Sequence, residues 1–433
     1  MSARFVPSFQ VVRAVHALAL LCALALPALL QPATAQTAAV PPERIAATGV
    51  AVRADAAGTE ILIDLTAPVE VTAGVLLRPA RMTLDLPGVV FGNDAGTGGK
   101  GEGLVAGYRY GVFMKGSSRI VLDLTGPSRL EAVKTEPGPA GTRLIVRLAP
   151  SSARDFETAA RAAETQRTLG HGTDGPEGAP QPDGPGASGA ANLPLVVIDP
   201  GHGGIDPGAA NGDEVEKDIV LRFGLALRDK LAASGKVRVA MTRDDDTFLP
   251  LADRVKFSRE HGARFFISIH ADTLADGAGV RGATVYTSAA RASDARTAQL
   301  AEKENRADLV AGIETPAEQN DVADILFDLT RRETRHMSNQ FAHVLVNTLK
   351  RSIATNKNPM RSANFWVLRA YDVPSVLLEL GYLSSRDDLA LMISDQWRDS
   401  TAQAVADAIT GYFGEKAAGA RRPNVGARGD GPL

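Results

Sequence analysis

Three short stretches of the chain carry side chains that together could hold a metal ion and move a proton. Asp199-Pro200-Gly201-His202-Gly203-Gly204 sets an imidazole on a glycine-rich turn, and Glu216 follows after a short loop. Ser268-Ile269-His270-Ala271-Asp272 offers a second imidazole, and Leu378-Glu379-Leu380-Gly381 a carboxylate that ends an apolar run. Two imidazoles and one carboxylate around an open fourth position are a common catalytic zinc set. Such an ion lowers the pKa of water towards ~7 and makes hydroxide available at neutral pH. A further carboxylate can take up the proton and return it to a leaving amine. Glu379 is the candidate for that role, because desolvation at the end of an apolar strand raises its pKa.

The same residues have plainer readings on chemistry alone. His202 could be an ordinary loop imidazole, Glu216 could complement a helix N-terminus, and Glu379 could pair with Arg369 or Arg243. His171 falls in a linker, His261 ends a polar helix, and His336 and His343 share one helical face. Gly96-Thr97-Gly98-Gly99-Lys100-Gly101 matches a dinucleotide fingerprint, yet it follows no parallel strand and opens no helix, so it reads as a loop.

The elements around these stretches alternate. Leu195–Ile198 is a buried-strand run, Glu214–Ala233 a helix with apolar Ile219, Val220, Phe223 and Leu227, Val237–Thr242 a strand, and Leu251–His261 a helix. Strands are expected at Arg264–His270 and Gly282–Ser288, helices near Ala292–Val310 and Leu329–Ala354. Strands at Phe365–Arg369 and Ser375–Leu380 and a closing helix at Gln396–Phe413 complete the pattern. It predicts an α/β domain over residues 193–414, its sheet flanked by helices. In such sheets reactive groups gather at the carboxyl ends of strands, which is where His202, His270 and Glu379 fall.

Residues 44–150 have a period of two instead. Ile61, Ile63 and Leu65 alternate with outward positions, as do Met82, Leu84 and Leu86, then Ile120, Leu122 and Leu124, then Leu144, Val146 and Leu148. Short alternating runs broken by turn signals predict a small all-β sandwich ahead of the α/β domain. Residues 151–192 read as a short helix, Ala153–Leu169, and a Gly/Pro-rich linker; residues 415–433 read as a disordered tail.

Residues 1–35 read as a signal peptide: Arg4 and Arg13, an apolar run from Ala14 to Leu30, then Ala33-Thr34-Ala35 as a small-x-small cleavage site. No twin-Arg pair appears in the n-region, which points to Sec export. Pro27 and the shortness of the run argue against a stable membrane span. Cleavage would remove Cys22, the one cysteine, which suits an oxidising compartment. Across all 433 residues, 44% are hydrophobic and 22% charged, ordinary globular values. Lys plus Arg number 47 against 50 Asp plus Glu, so no basic excess exists to hold nucleic acid.

The motifs from Asp199 to Ser384 resemble the zinc N-acetylmuramoyl-L-alanine amidases of bacterial cell-wall remodelling, over about Leu193 to Gly414. The resemblance implies one zinc ion held by His202, Glu216 and His270, with Glu379 as the catalytic glutamate and Arg254 in the family's Leu-x-x-Arg element. Ser258-Arg259 stands where Ala-Asn is usual, and Ser385 where Asn is often seen; neither is a proposed ligand. Residues 44–150 are similar to the β-rich AMIN-type module that precedes such enzymes in Gram-negative bacteria and binds cell wall at the division site. Residues of about 290–329 form a connection far longer than common ones. Similar insertions in the division amidases form a helix that plugs the site until a partner removes it. That makes Glu302 and Glu304, in Ala301-Glu302-Lys303-Glu304-Asn305, candidates for the plug, with a solvated helix face as the alternative. The implied protein is a periplasmic enzyme that cleaves the amide between N-acetylmuramic acid and L-alanine of peptidoglycan during daughter-cell separation. Its implied partner is a periplasmic activator of the degenerate LytM type. The rival readings are a zinc peptidase acting within the stem peptide and a non-catalytic peptidoglycan-binding scaffold.

Overall fold

The computed structural model describes residues 44–92, 98–170, 193–274, 280–313 and 325–420. The expected signal peptide, the linker beyond residue 170 with His171, and the end of the tail lie outside them. Among the described residues, no helix is long and apolar enough to cross a membrane.

The first region is all β: β1 Ile45–Asp55, β2 Gly58–Leu65, β3 Thr72–Leu76, β4 Arg81–Pro87, β5 Val89–Phe91, β6 Gly98–Lys100, β7 Val105–Met114, β8 Ser117–Leu124, β9 Ser128–Gly138 and β10 Gly141–Pro150. Two sheets result, ordered β5-β1-β2-β10-β9 and β3-β4-β8-β7-β6. Their alternation explains the packing. Ile61, Ile63, Leu144, Val146 and Leu148 of one sheet meet Met82, Leu84, Leu86, Ile120 and Leu122 of the other in one buried cluster. Of the glycine-rich fingerprint, Gly98–Lys100 form β6, and Gly96 and Thr97 lie outside the described residues. Helix α1, Ala153–Gly170, follows as expected.

The second region runs β11 Leu195–Pro200, β12 Ala210–Asn211, β13 Glu214–Val215, α2 Glu216–Ser234, β14 Arg238–Met241, α3 Leu251–Glu260, β15 Phe265–His270 and β16 Ala283–Ser288. It continues with α4 Ala295–Glu304, α5 Ala307–Val310, α6 Ile325–Ser352, β17 Thr355–Ala363, β18 Ser375–Glu379, α7 Arg386–Met392 and α8 Asp395–Ala420. The sheet order is β14-β11-β15-β18-β16-β17. β14, β11, β15 and β18 are parallel, and β16 is antiparallel to β18. Both faces are covered. Val196 and Ile198 pack with α2, α6 and α8, while Leu195 and Val197 pack with α3 and α4. Two-sided burial is why these strands read as unbroken apolar runs.

Three expectations are corrected. Trp366–Leu368 is a 3-10 turn, not part of a strand, and the edge strand is the preceding β17. Phe365, Val367 and Leu368 bury against the second core cluster, and a short apolar run does not distinguish a buried turn from a strand. β17 is polar and contains Pro359, as edge strands can. The helix expected over Ala292–Val310 is broken between α4 and α5, where Asn305 donates to Asn364 O and accepts from Trp366 N. Such side-chain bonds compete with helix continuation. Finally, α8 continues through Ala420, because Glu415-Lys416-Ala417-Ala418 are good helix formers, so the closing helix runs past the expected Phe413.

Phe265 is fully buried, its ring 4.0 Å from that of Phe341. Phe265→Ala is expected to cost about 3–5 kcal/mol, read as a lower midpoint in denaturant unfolding of the whole chain.

Candidate active site

Strand register assembles the site. Pairing of β11, β15 and β18 sets Asp199 beside Ser268 and His270 beside Glu379. Beyond β11 the chain turns at Gly201, where a Cβ would lie 2.4 Å from His270 Cε1, so only glycine fits. His202 then adopts a left-handed backbone with φ of 58°. A non-glycine residue holds that conformation only when its surroundings enforce it.

The enforcement comes from two buried arginines. Arg254 donates to the carbonyls of Leu249, Pro200 and His202 and to Asp199 Oδ1, all at 2.7–2.9 Å. Arg243 donates to the carbonyls of Pro200, Gly201 and Lys217 at 2.7–2.9 Å. Asp199 also accepts from Thr242 and Ser268. Burial pushes its carboxyl up, but the Arg254 charge and these hydrogen bonds hold it below the usual carboxylate value.

His202 Nδ1 bonds Asp206 Oδ2 at 2.8 Å, which turns Nε2 inward. Nε2 then lies 3.2 Å from Glu216 Oε1 and 3.5 Å from Glu304 Oε2. His270 Nδ1 lies 3.2 Å from Glu216 Oε1 and 3.1 Å from Glu304 Oε2. Glu216 is anchored by the N–H groups of Ala209 and Ala271. Burial opposes its ionisation, yet the two imidazoles hold it well below the ordinary value.

This group fits a metal ion. His202, Glu216 and His270 are buried and mutually close enough to share one. Tetrahedral zinc with bonds of about 2.0–2.1 Å implies donors about 3.3 Å apart, and Glu216 Oε1 lies 3.2 Å from each imidazole nitrogen. His202 Nε2 is buried without a hydrogen-bond partner, which an ion would supply. Charge agrees. Burial pushes Glu379 well above the ordinary carboxylate value, with the charges of Glu216, Asp272 and Glu304 adding to it. Burial likewise pushes Glu304 up to about 7 against the pull of both imidazoles. A divalent cation would relieve this crowding of acidic groups.

Glu379 accepts the Asp272 N–H at Oε2, 3.1 Å away, while its buried Oε1 has no hydrogen-bond partner. Arg243 is spent on carbonyls, and Arg369 stacks over Trp366 at 4.3 Å. Glu304 enters from α4, whose buried stripe is Thr297, Leu300, Ala301 and Glu304. Glu302 lies on the opposite, exposed side, paired with Arg306 at 2.5 Å. The structure therefore brings Glu304 to the histidines and leaves Glu302 in solvent. Lys303 reaches Asp272, the residue whose N–H holds Glu379.

Among the described residues the other histidines stay apart: His261 bonds Phe257 O, His336 faces Gln340, and His343 is exposed. Ser385 accepts from Asp388 N and caps α7. Sequence reasoning missed Asp206, whose signal was a carboxylate four residues after His202 on the same turn. It also missed the Lys303–Asp272 pair, which joins elements distant in sequence.

The family described as Amidase_3, N-acetylmuramoyl-L-alanine amidase, matches residues 196–411. The chain is 33% identical over 307 residues to the N-acetylmuramoyl-L-alanine amidase AmiC of Neisseria meningitidis serogroup B, covering 68% of this chain and 71% of that one. It is 36% identical over 222 residues to AmiA of Escherichia coli K12, covering 51% and 76% respectively. The chain belongs to the N-acetylmuramoyl-L-alanine amidase family. Among solved structures, the amidase AmiC2 of Nostoc punctiforme is similar at 29% identity, with 51% of this chain and 97% of that chain covered and a TM-score of 0.38. The substrate class of such an amidase is peptidoglycan, and its reaction is amide hydrolysis.

In this amidase Asp206 fixes the ring orientation that aims His202 Nε2 at Glu216. Asp206→Ala is expected to lower affinity for a divalent metal ion about 10–100-fold in a chelator competition assay, with the fold retained.

Proposed function

We propose that the chain is a zinc-dependent amidase of the periplasm. It would cleave the bond between the lactyl carbonyl of N-acetylmuramic acid and the L-alanine nitrogen of the stem peptide. The observation that supports this reading best is the meeting of His202, Glu216 and His270 at separations suited to one ion, with Glu379 on the neighbouring strand. An ion bound there supplies Lewis acidity at the amide carbonyl and a hydroxide nucleophile at neutral pH. Glu379, desolvated and held by the Asp272 N–H, takes the proton of the attacking water. As the new C–O bond forms and the C–N bond breaks, the same carboxyl delivers that proton to the alanine nitrogen. The products are a muramic acid carboxylate and a stem peptide with a free amino end.

In this reading Glu304, 3.1 Å from His270 Nδ1, would compete with water and substrate for an ion held by His202, Glu216 and His270, and Lys303 holds Asp272, so substrate is excluded until α4 withdraws. An activator protein of the degenerate LytM type would draw α4 away. Residues 1–35 serve Sec export, and the β sandwich is an AMIN-type wall-binding module. The setting is separation of daughter cells.

Mass spectrometry of digested peptidoglycan is expected to show free stem peptides beginning with L-alanine; cleavage within the stem would instead make the protein a peptidase. Glu379→Gln should retain zinc and lose about 10²–10⁴-fold in turnover. Chelation should abolish hydrolysis, and zinc should restore it. Glu304→Ala should raise the basal rate, whereas Glu302→Ala should leave it unchanged.

A further inference from the structure

The segment that carries Glu304 is gripped from outside the α/β region. Arg81 on β4 donates to Leu309 O. Arg109 on β7 donates to Val310 O at 2.5 Å and to Leu309 O at 3.3 Å. Arg119 on β8 donates to Ala311 O at 3.0 Å. Three guanidiniums from neighbouring strands thus meet the carbonyls that end α5, groups that lack partners within a helix and favour cations. The guanidiniums are themselves fixed, Arg119 by both oxygens of Asp85 and Arg109 by Asp123.

Apolar contacts surround this grip. Phe113 and Val121 of the sandwich form one buried cluster with Ala311, Ile205 and Phe248, and Ile313 packs against it. Gly312 is pressed so closely to the sheet that a Cβ would lie 2.6 Å from Thr83 Cγ2 and 3.2 Å from Val121 Cγ2. On its other side the segment is tied to the catalytic framework, since Asp308 accepts the N–H of Leu251 at the start of α3. The same sheet touches the His202 turn, where Ile205 N donates to Val112 O at 2.9 Å.

We propose that the β sandwich is a latch on the plug: the outer face of β4, β8 and β7 binds Leu309–Ile313 and so holds Glu304 at the histidines. The proposal rests on reading Glu304 as inhibitory. The segment covers this sheet face, so a ligand of the sandwich that needs the face cannot coexist with the seated plug. Linkage then runs both ways: occupying the face frees the site, and a seated plug weakens ligand binding to the face.

The test uses the full chain loaded with zinc. Arg109→Glu sets a carboxylate against the carbonyls of Leu309 and Val310; Arg109→Lys keeps the charge. Arg143→Glu is the control, because Arg143 pairs with Asp64 on the other sheet. Amide hydrogen exchange over residues 295–313 and release of dye from labelled peptidoglycan are both read. Arg109→Glu is expected to speed exchange in that segment and raise basal hydrolysis at least about tenfold, the factor for a single one of the two charge-assisted hydrogen bonds it removes. Arg109→Lys should lie between, and Arg143→Glu should match the parent. In a Glu304→Ala background, Arg109→Glu should add nothing further to the rate. Should Arg109→Glu fail to fold, Gly312→Leu, which crowds Thr83 and Val121, is expected to give the same pair of changes. Unchanged exchange over 295–313 overturns the latch. Faster exchange, with no gain in hydrolysis from either Arg109→Glu or Glu304→Ala, keeps the grip but overturns the plug reading.

Discussion

A guanidinium and a carboxylate, both shut away from water, set the place of His202. Arg254 is 3% exposed and Asp199 0%, and their 2.9 Å pairing would be costly to bury if either group were left short of partners. Neither is. Asp199 takes two hydroxyls as well, and Arg254 places three further N–H groups on the carbonyls of Pro200 and His202 in the turn and of Leu249 ahead of α3. The pair therefore works as a peg from which the turn after β11 hangs. The histidine at its tip, the carboxylate that orients it and the approach of His270 all follow from that placement.

Much of this was readable in the chain because the parallel strands are buried on both faces. Apolar runs with chemistry at their ends, as in Leu195–Asp199 and Phe265–His270, betray both the sheet and its rim. Alternation at Met82–Leu86 and Ile120–Leu124 did the same for the sandwich. What escaped reading has physical reasons. β17 lies at an edge and carries few apolar side chains, so its pairing leaves little trace in composition. Phe365–Leu368 carries such a trace but spends it on a buried turn. Glu302 and Glu304 looked equivalent as charged neighbours, although the spacing of Thr297, Leu300 and Ala301 already put only Glu304 on the inward stripe. The arginines at positions 81, 109 and 119 resembled solvated strand residues, because their partners are main-chain carbonyls about two hundred residues away.

The helix that fills the cleft is only partly a core element. Leu300 and Ala301 join the second apolar cluster, but the rest of its buried stripe is a threonine and an acid. Its seating depends heavily on polar contacts at and just beyond its C-terminal end: the ion pair from Lys303, the acceptor role of Asp308 and the guanidiniums of the sandwich. An element fastened by polar contacts can be lifted without dismantling the main core, as the proposed plug role requires.

The backbone at His202 has a further consequence. A left-handed histidine is uphill unless its surroundings compel it, and an ion drawn to its inward nitrogen would favour that same conformation. Loading and local order would then be two descriptions of one equilibrium. Whatever stiffness the turn lends to metal capture, the captured ion returns to the turn in equal measure.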